Sequence, residues 1–252
     1  MPLLAYILLF SFLGSVVSLL GGILLLTNEK FTKKISHFLS AFAGGALLGT
    51  AFFDLLPEAL KDAGEVDIFL WTLIGVLAFF LLERFIHHHE QSENANEKST
   101  VIPLIIIGDT IHNFIDGVAM AGTFLISIPL GIVTSLAVAA HEIPQEIGDF
   151  GLMLHKGVSK RKVLLINFSS ALAAMFGAII TYLAKDTISG LLPAVLGMTA
   201  GFFIYIALTN LIPEIHSREN QKMAFWETII LLLGVLAIYL TISTLAALNL
   251  AV

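Results

Sequence analysis

Two stretches near the middle of the chain put ionisable side chains where apolar ones are expected. One reads GDTIHNFIDGVAMAG over residues 108–122, the other HEIPQEIGD over residues 141–149. Spacings of three and four place Asp109, His112 and Asp116 on one helical face, with Asn113 beside them. In the second stretch His141 and Gln145 are one turn apart. Glu142 and Glu146 are one turn apart on an adjacent face, and Asp149 continues that line. A Pro at 144 withdraws the backbone donor that would bond the Ala140 carbonyl, which leaves that oxygen free beside His141. Imidazole, carboxylate and amide groups form a nitrogen-and-oxygen ligand set that suits Zn²⁺, Fe²⁺ or Mn²⁺ better than Mg²⁺ or Ca²⁺. A buried proton relay and a hydrogen-bonded packing network are the two other readings of the same residues.

The elements that must hold these groups are apolar. Of the 252 residues 57% are hydrophobic and 13% charged, against about 25% charged in soluble domains. The apolar residues fall in runs near the ~20 residues that a spanning helix needs. Eight such runs are read, at about 3–26, 37–60, 67–87, 101–126, 130–153, 164–184, 190–213 and 225–249. The expectation is an all-α polytopic membrane protein with one transmembrane domain over residues 1–252. The first run lacks a basic leader and exceeds an h-region in length, so it is read as a retained helix. An ionisable residue at the centre of a spanning helix opposes insertion by roughly 2.5–3.5 kcal/mol, so Asp116 and Glu142 together cost about 5–7 kcal/mol. Groups kept at that cost are functional candidates by default.

Depth and orientation sharpen the expectation. The two polar stretches flank a tight turn near Ser127–Pro129. His112 and Gln145 are equally far from it, as are Asp116 and His141, so an antiparallel hairpin brings the pairs to matching depths, about 19–25 Å below the turn. All but two of the 13 Lys and Arg lie at the end of, or after, the first, third, fifth or seventh run; the exceptions are Lys61 and Lys185. The positive-inside rule assigns the majority side to the cytoplasm and both termini to the extracytoplasmic side.

Residues 41–59, AFAGGALLGTAFFDLLPEA, align with residues 197–215, GMTAGFFIYIALTNLIPEI. Gly45 meets Gly201, Asp54 meets Asn210, Pro57 meets Pro213 and Glu58 meets Glu214. The segments are five spans apart and run in opposite directions, which predicts an inverted repeat of helices 1–3 against 6–8 around helices 4 and 5, a 3+2+3 plan common in secondary transporters. Asp54 and Glu58 near one end, and Asn210 and Glu214 near the other, are candidates for the path of a cation, together with Asp109, Asp149 and Asn167. The alternative is that the end residues cap helices at the interface. A His-rich segment, HHHEQSENANEKS, opens with His87, His88 and His89; residues 87–100 are read as a cytoplasmic loop that receives or senses metal, or as a plain solvated linker.

These motifs resemble those of the ZIP (Zrt/Irt-like) family of metal transporters. HNFIDG at 112–117 and HEIPQEIGD at 141–149 match its fourth- and fifth-helix motifs, the latter in the branch with a HEXPHEXGD pattern; LLPEA at 55–59 and LIPEI at 211–215 match as well. The resemblance covers nearly the whole chain. It implies eight helices in the 3+2+3 arrangement, a homodimer in the plasma membrane, and uptake of a divalent metal into the cytoplasm through a binuclear centre. By position in the resembling motifs, one metal would be held by His112, Asp116, His141 and Gln145. The resemblance likewise implies a second metal on Asn113 and Glu142 with Asp116 bridging, and Glu146 adjacent. Gln145 stands where the branch has a second His, which leaves the choice among Zn²⁺, Fe²⁺, Mn²⁺ and Cd²⁺ open. The metal is substrate rather than prosthetic group, and no catalytic residue or nucleic-acid partner is expected. The competing readings are a proton-driven metal exporter and an intramembrane metalloprotease. HE at 141–142 begins the protease's H-E-x-x-H motif, but Gln145 occupies its last position.

Overall fold

The computed structural model describes residues 2–61, 63–91, 101–213 and 221–247; within these, side chains of residues 33, 85–91, 101, 104, 105, 221 and 222 are not described. The described residues are helical apart from short turns, and they contain no strand. In chain order the helices are α1 (Leu3–Thr27), α2 (Glu29–Lys61), α3 (Ile68–Gln91), α4 (Val101–Ile126), α5 (Ile128–His155), α6 (Lys160–Leu183), α7 (Lys185–Leu211) and α8 (Gln221–Ala247). Five of them, α1, α2, α6 and α7 in full and α8 from Met223, are long and apolar enough to cross a membrane. The chain is an all-helical, polytopic membrane protein. Its burial pattern is that of a lipid-facing fold: Leu183 is 75% and Phe69 67% exposed, while Ser18, Thr123, Thr134 and Asn167 are fully buried.

Local chemistry sets the turns. Asn28 ends α1 and caps α2, its side-chain oxygen accepting from Phe31 N–H at 3.2 Å. Ser127 separates α4 from α5 and accepts from Leu130 N–H at 3.3 Å, with Pro129 in the first turn where a missing N–H costs nothing. Gly157 closes α5 at φ 87, where Val158 N–H returns to the Met153 carbonyl. These short caps force α4 and α5 into the antiparallel hairpin that the spacing of their polar residues demands.

Helix pairs assemble through glycine. A Cβ on Gly45 of α2 would overlap the Leu231 carbonyl of α8, and one on Gly201 of α7 would overlap the Thr72 carbonyl of α3. Gly234 of α8 lies as close to the Phe42 carbonyl, and Gly75 of α3 to the Met198 carbonyl. The shift that carries Gly45 onto Gly201 also carries Phe42 onto Met198. It further carries one π-helical turn, Ala51–Leu55, onto another, Ala207–Leu211. In each, an N–H reaches back five residues, from Leu56 to Ala51 and from Ile212 to Ala207. Asp54 and Asn210 occupy the same position in the two turns. The remaining main pairings, α4 with α6 and α1 with α5, close a second group of helices. Gly117 of α4 meets the Ala174 carbonyl and Gly177 of α6 the Phe114 carbonyl.

The histidines at 87, 88 and 89 lie on helical backbone, since α3 continues to Gln91. Their side chains, residues 92–100, and Glu214 lie outside the described residues.

Candidate metal centre

α4 and α5 deliver the cluster. His112 and Asp116 are successive turns of α4; His141 and Glu142 are neighbours on α5. Nε2 of His112 lies 3.1 Å from Nε2 of His141, 3.6 Å from Asp116 Oδ2 and 3.4 Å from Glu142 Oε1. Nε2 of His141 lies 3.3 Å from Asp116 Oδ2 and 3.8 Å from Glu142 Oε1. One ligand atom from each of the four residues falls within 4.8 Å of all the others, and all four side chains are buried.

Two features suit this cluster to a cation. The His141 Nδ1 is 3.1 Å from the Ala137 carbonyl. A carbonyl only accepts, so Nδ1 carries the proton, and in the neutral ring Nε2 turns a lone pair into the cluster. No hydrogen bond satisfies Asp116 Oδ2 or either oxygen of Glu142. Buried carboxylate oxygens without partners are strongly unfavourable unless a positive charge meets them. Two carboxylates and two imidazoles are a common donor set for a divalent transition metal.

A second polar layer lies beside the first. Asn113 spends both amide hydrogens on Asp109, one on its carbonyl at 3.1 Å and one on Oδ1 at 2.9 Å. The amide oxygen of Asn113 is thereby the atom left for another partner. Oδ2 of Asp109 accepts from Ser170 on α6, whose hydroxyl also lies 3.0 Å from the Asn167 carbonyl. Gln145 reaches Asp109 as well. The structure thus sets Glu142 beside His112 and His141. Glu146 is 1% exposed with no hydrogen bond to either carboxyl oxygen, and Asn167 Oδ1 is buried in the same condition. Asp149 is half-buried further along α5. Ser170 escaped sequence reading because a serine in an apolar helix carries no signal until its partner is known.

The facing helices add only a wall. Phe79 of α3 meets the His112 ring edge-on at 5.3 Å between centroids, and Phe203 of α7 lies 6.2 Å from the His141 ring. Towards the α4–α5 turn, a cavity of about 240 Å³ is lined by Asp54, Glu58 and Lys61 of α2 and by Ser127, Leu130 and Val133. Lys61 pairs with Glu58 at 2.6 Å. Asn210 is exposed on the π turn of α7.

Fold and site together define a polytopic membrane protein with a buried His, Asp and Glu cluster of a kind that fits a divalent metal. The chain belongs to the ZIP zinc transporter family, whose sequence profile it matches over residues 2–103 and 87–242. It is 31% identical to "Zinc transporter ZIP13" of Pongo abelii over 91% of this chain and 77% of that protein. It is 29% identical to the Homo sapiens protein of the same name over 91% of this chain and 80% of that one. It is 29% identical to "Zinc transporter ZIP4" of Mus musculus over 80% of this chain and 42% of that protein. Family membership makes it a membrane transporter of a divalent metal and not an enzyme, which removes the metalloprotease reading; the metal is cargo.

Proposed function

We propose that the protein is a secondary transporter that carries divalent transition-metal cations, Zn²⁺ first among Zn²⁺, Fe²⁺, Mn²⁺ and Cd²⁺, across the plasma membrane into the cytoplasm. The observation that carries the reading is the buried set of His112, Asp116, His141 and Glu142, with ligand atoms within 4.8 Å of one another and carboxylate oxygens that no hydrogen bond satisfies. The relatives named as zinc transporters put zinc first. The centre is binuclear: the amide oxygen of Asn113, with Gln145 and Glu146, extends it toward a second ion, and Asn167 borders it.

The architecture is eight spans in a 3+2+3 inverted repeat, with both termini extracytoplasmic, working as a homodimer. The paired π turns and the paired glycine approaches of α2–α8 and α7–α3 support the repeat. Transport is by alternating access. Metal enters the cavity past Asp54 and Glu58, sheds water, and binds between α4 and α5. The group carrying the centre then shifts against the wall of Phe79 and Phe203, opening toward Asn210, Glu214 and the His87–His89 segment. The carboxylates offset the charge of the ion, so the loaded centre costs far less to hold in lipid than the bare cation.

Radioactive zinc uptake into proteoliposomes tests this. Wild-type protein takes up zinc, and His112→Ala and Asp116→Ala, folded as judged by gel filtration, do not. Equal uptake by all three sinks the proposal. Zinc movement only in the opposite direction, against a proton gradient, makes the protein an exporter.

A further inference from the structure

Serine and threonine in these helices follow a rule that a few of them break. Thr110, Thr123, Ser135, Ser170 and Thr181 each donate to a carbonyl three or four residues back, as a buried hydroxyl in a helix ordinarily does. Thr50 and Thr134 do not. Both are fully buried, and neither Oγ1 has a hydrogen-bond partner. Leaving a buried hydroxyl unsatisfied costs about as much as losing a hydrogen bond, so the exception calls for an occupant. Ser11 and Ser40 share the condition, but neither stands within a turn of a cavity-lining residue.

The place of the two threonines is specific. Thr134 follows Val133 and stands one turn below Leu130; Thr50 stands one turn before Phe53 and Asp54. All four of those neighbours line the cavity at the α4–α5 turn. α2 packs on α5, and Ala46 and Val133 share one buried cluster. Both hydroxyls therefore stand on residues within one helical turn of the cavity lining, and Asp54, itself in that lining, adds a carboxylate oxygen, Oδ2, that is buried without a hydrogen bond. Beneath them come Ala46, Ala137 and Val138, all buried and apolar. His141 follows about 10 Å below Thr134 at the helical rise.

We propose that Thr50, Thr134 and the Asp54 carboxylate form an oxygen-lined subsite for a partly hydrated divalent cation, between the cavity and the four-residue centre. The inference rests on the transport reading above. Two neutral hydroxyls and one carboxylate are hard, weak ligands, able to replace some of a dication's waters but not to compete with two imidazoles and two carboxylates. The cation pauses there, gives up part of its hydration shell, and crosses the apolar layer only when the imidazole-bearing centre can take it.

Valine has the shape of threonine without the hydroxyl. In proteoliposomes, the double variant Thr50→Val with Thr134→Val raises the zinc concentration for half-maximal uptake about fivefold, the scale of one lost polar contact. Equilibrium zinc binding by the same purified variant stays at the parent value, because the centre is untouched, and the double Thr→Ser variant keeps parent uptake. Parent-like uptake by the double valine variant overturns the subsite while leaving transport standing. So does a loss of equilibrium binding that matches the loss of uptake. A parent protein that takes up no zinc overturns the transport reading, and the subsite falls with it.

Discussion

The α4–α5 hairpin and the α2–α7 pair contain similar proportions of apolar residue and treat polar ones in opposite ways. The hairpin buries Asp109, His112, Asp116, His141, Glu142 and Glu146 and aims several of them at one point. In α2 and α7 the corresponding polar positions, Asp54 and Asn210, ride on π turns, Asp54 at the cavity wall and Asn210 exposed. What these helices and α3 offer the centre is aromatic: Phe79 and Phe203 lie against the two histidine rings. One group of helices carries the buried His, Asp and Glu cluster, and the other faces its two imidazoles with aromatic rings. An aromatic face offers no ligand to a cation, and it excludes water that would weaken the electrostatics inside.

The comparison breaks most decisively at the ligands. His141→Ala lowers zinc affinity of the purified protein by more than the roughly 10–100-fold that loss of an outer partner causes. Isothermal titration reads this directly, and an affinity within tenfold of the parent removes His141 from the centre. A smaller effect is expected one layer out. Ser170→Ala releases the Asp109 carboxyl that holds the Asn113 amide, and costs about 10-fold in affinity. The measurement that matters is metal stoichiometry: loss of the weaker of two bound ions, with the stronger retained, assigns the Asp109 network to the second ion. Unchanged affinity and stoichiometry reduce that network to packing. The smallest effect belongs to the wall. Phe79→Leu keeps an apolar side chain and loses the ring edge on His112, and shifts zinc affinity by about threefold, the scale of one aromatic contact. A loss as large as that of His141→Ala would show that the two groups of helices are not divided into ligands and wall.

Relatively few residues make the centre legible in the sequence. Asp109, His112 and Asp116 repeat at helical spacing inside an apolar run. His141 lies as far beyond the Ser127–Pro129 turn as Asp116 lies before it, and in the structure the two side chains meet at 3.3 Å. The residues that stay hidden are those whose meaning depends on a partner elsewhere in the chain. Ser170, Phe79 and Phe203 are ordinary occupants of apolar helices until α6, α3 and α7 are packed against α4 and α5.

By itself, then, the sequence determined the helices, the hairpin and the level at which its polar groups converge. These follow from hydropathy, from caps at Asn28 and Ser127, and from a fixed rise and turn per residue. Only the tertiary structure decided which candidates share a centre. Glu142 Oε1 comes within 3.4 Å of His112 Nε2 and 3.8 Å of His141 Nε2, because that meeting depends on how far each helix is rotated about its own axis. The rotation is set by contacts with other helices, Gly117 on the Ala174 carbonyl and Gly21 on the Ile143 carbonyl, and these lie far away along the chain.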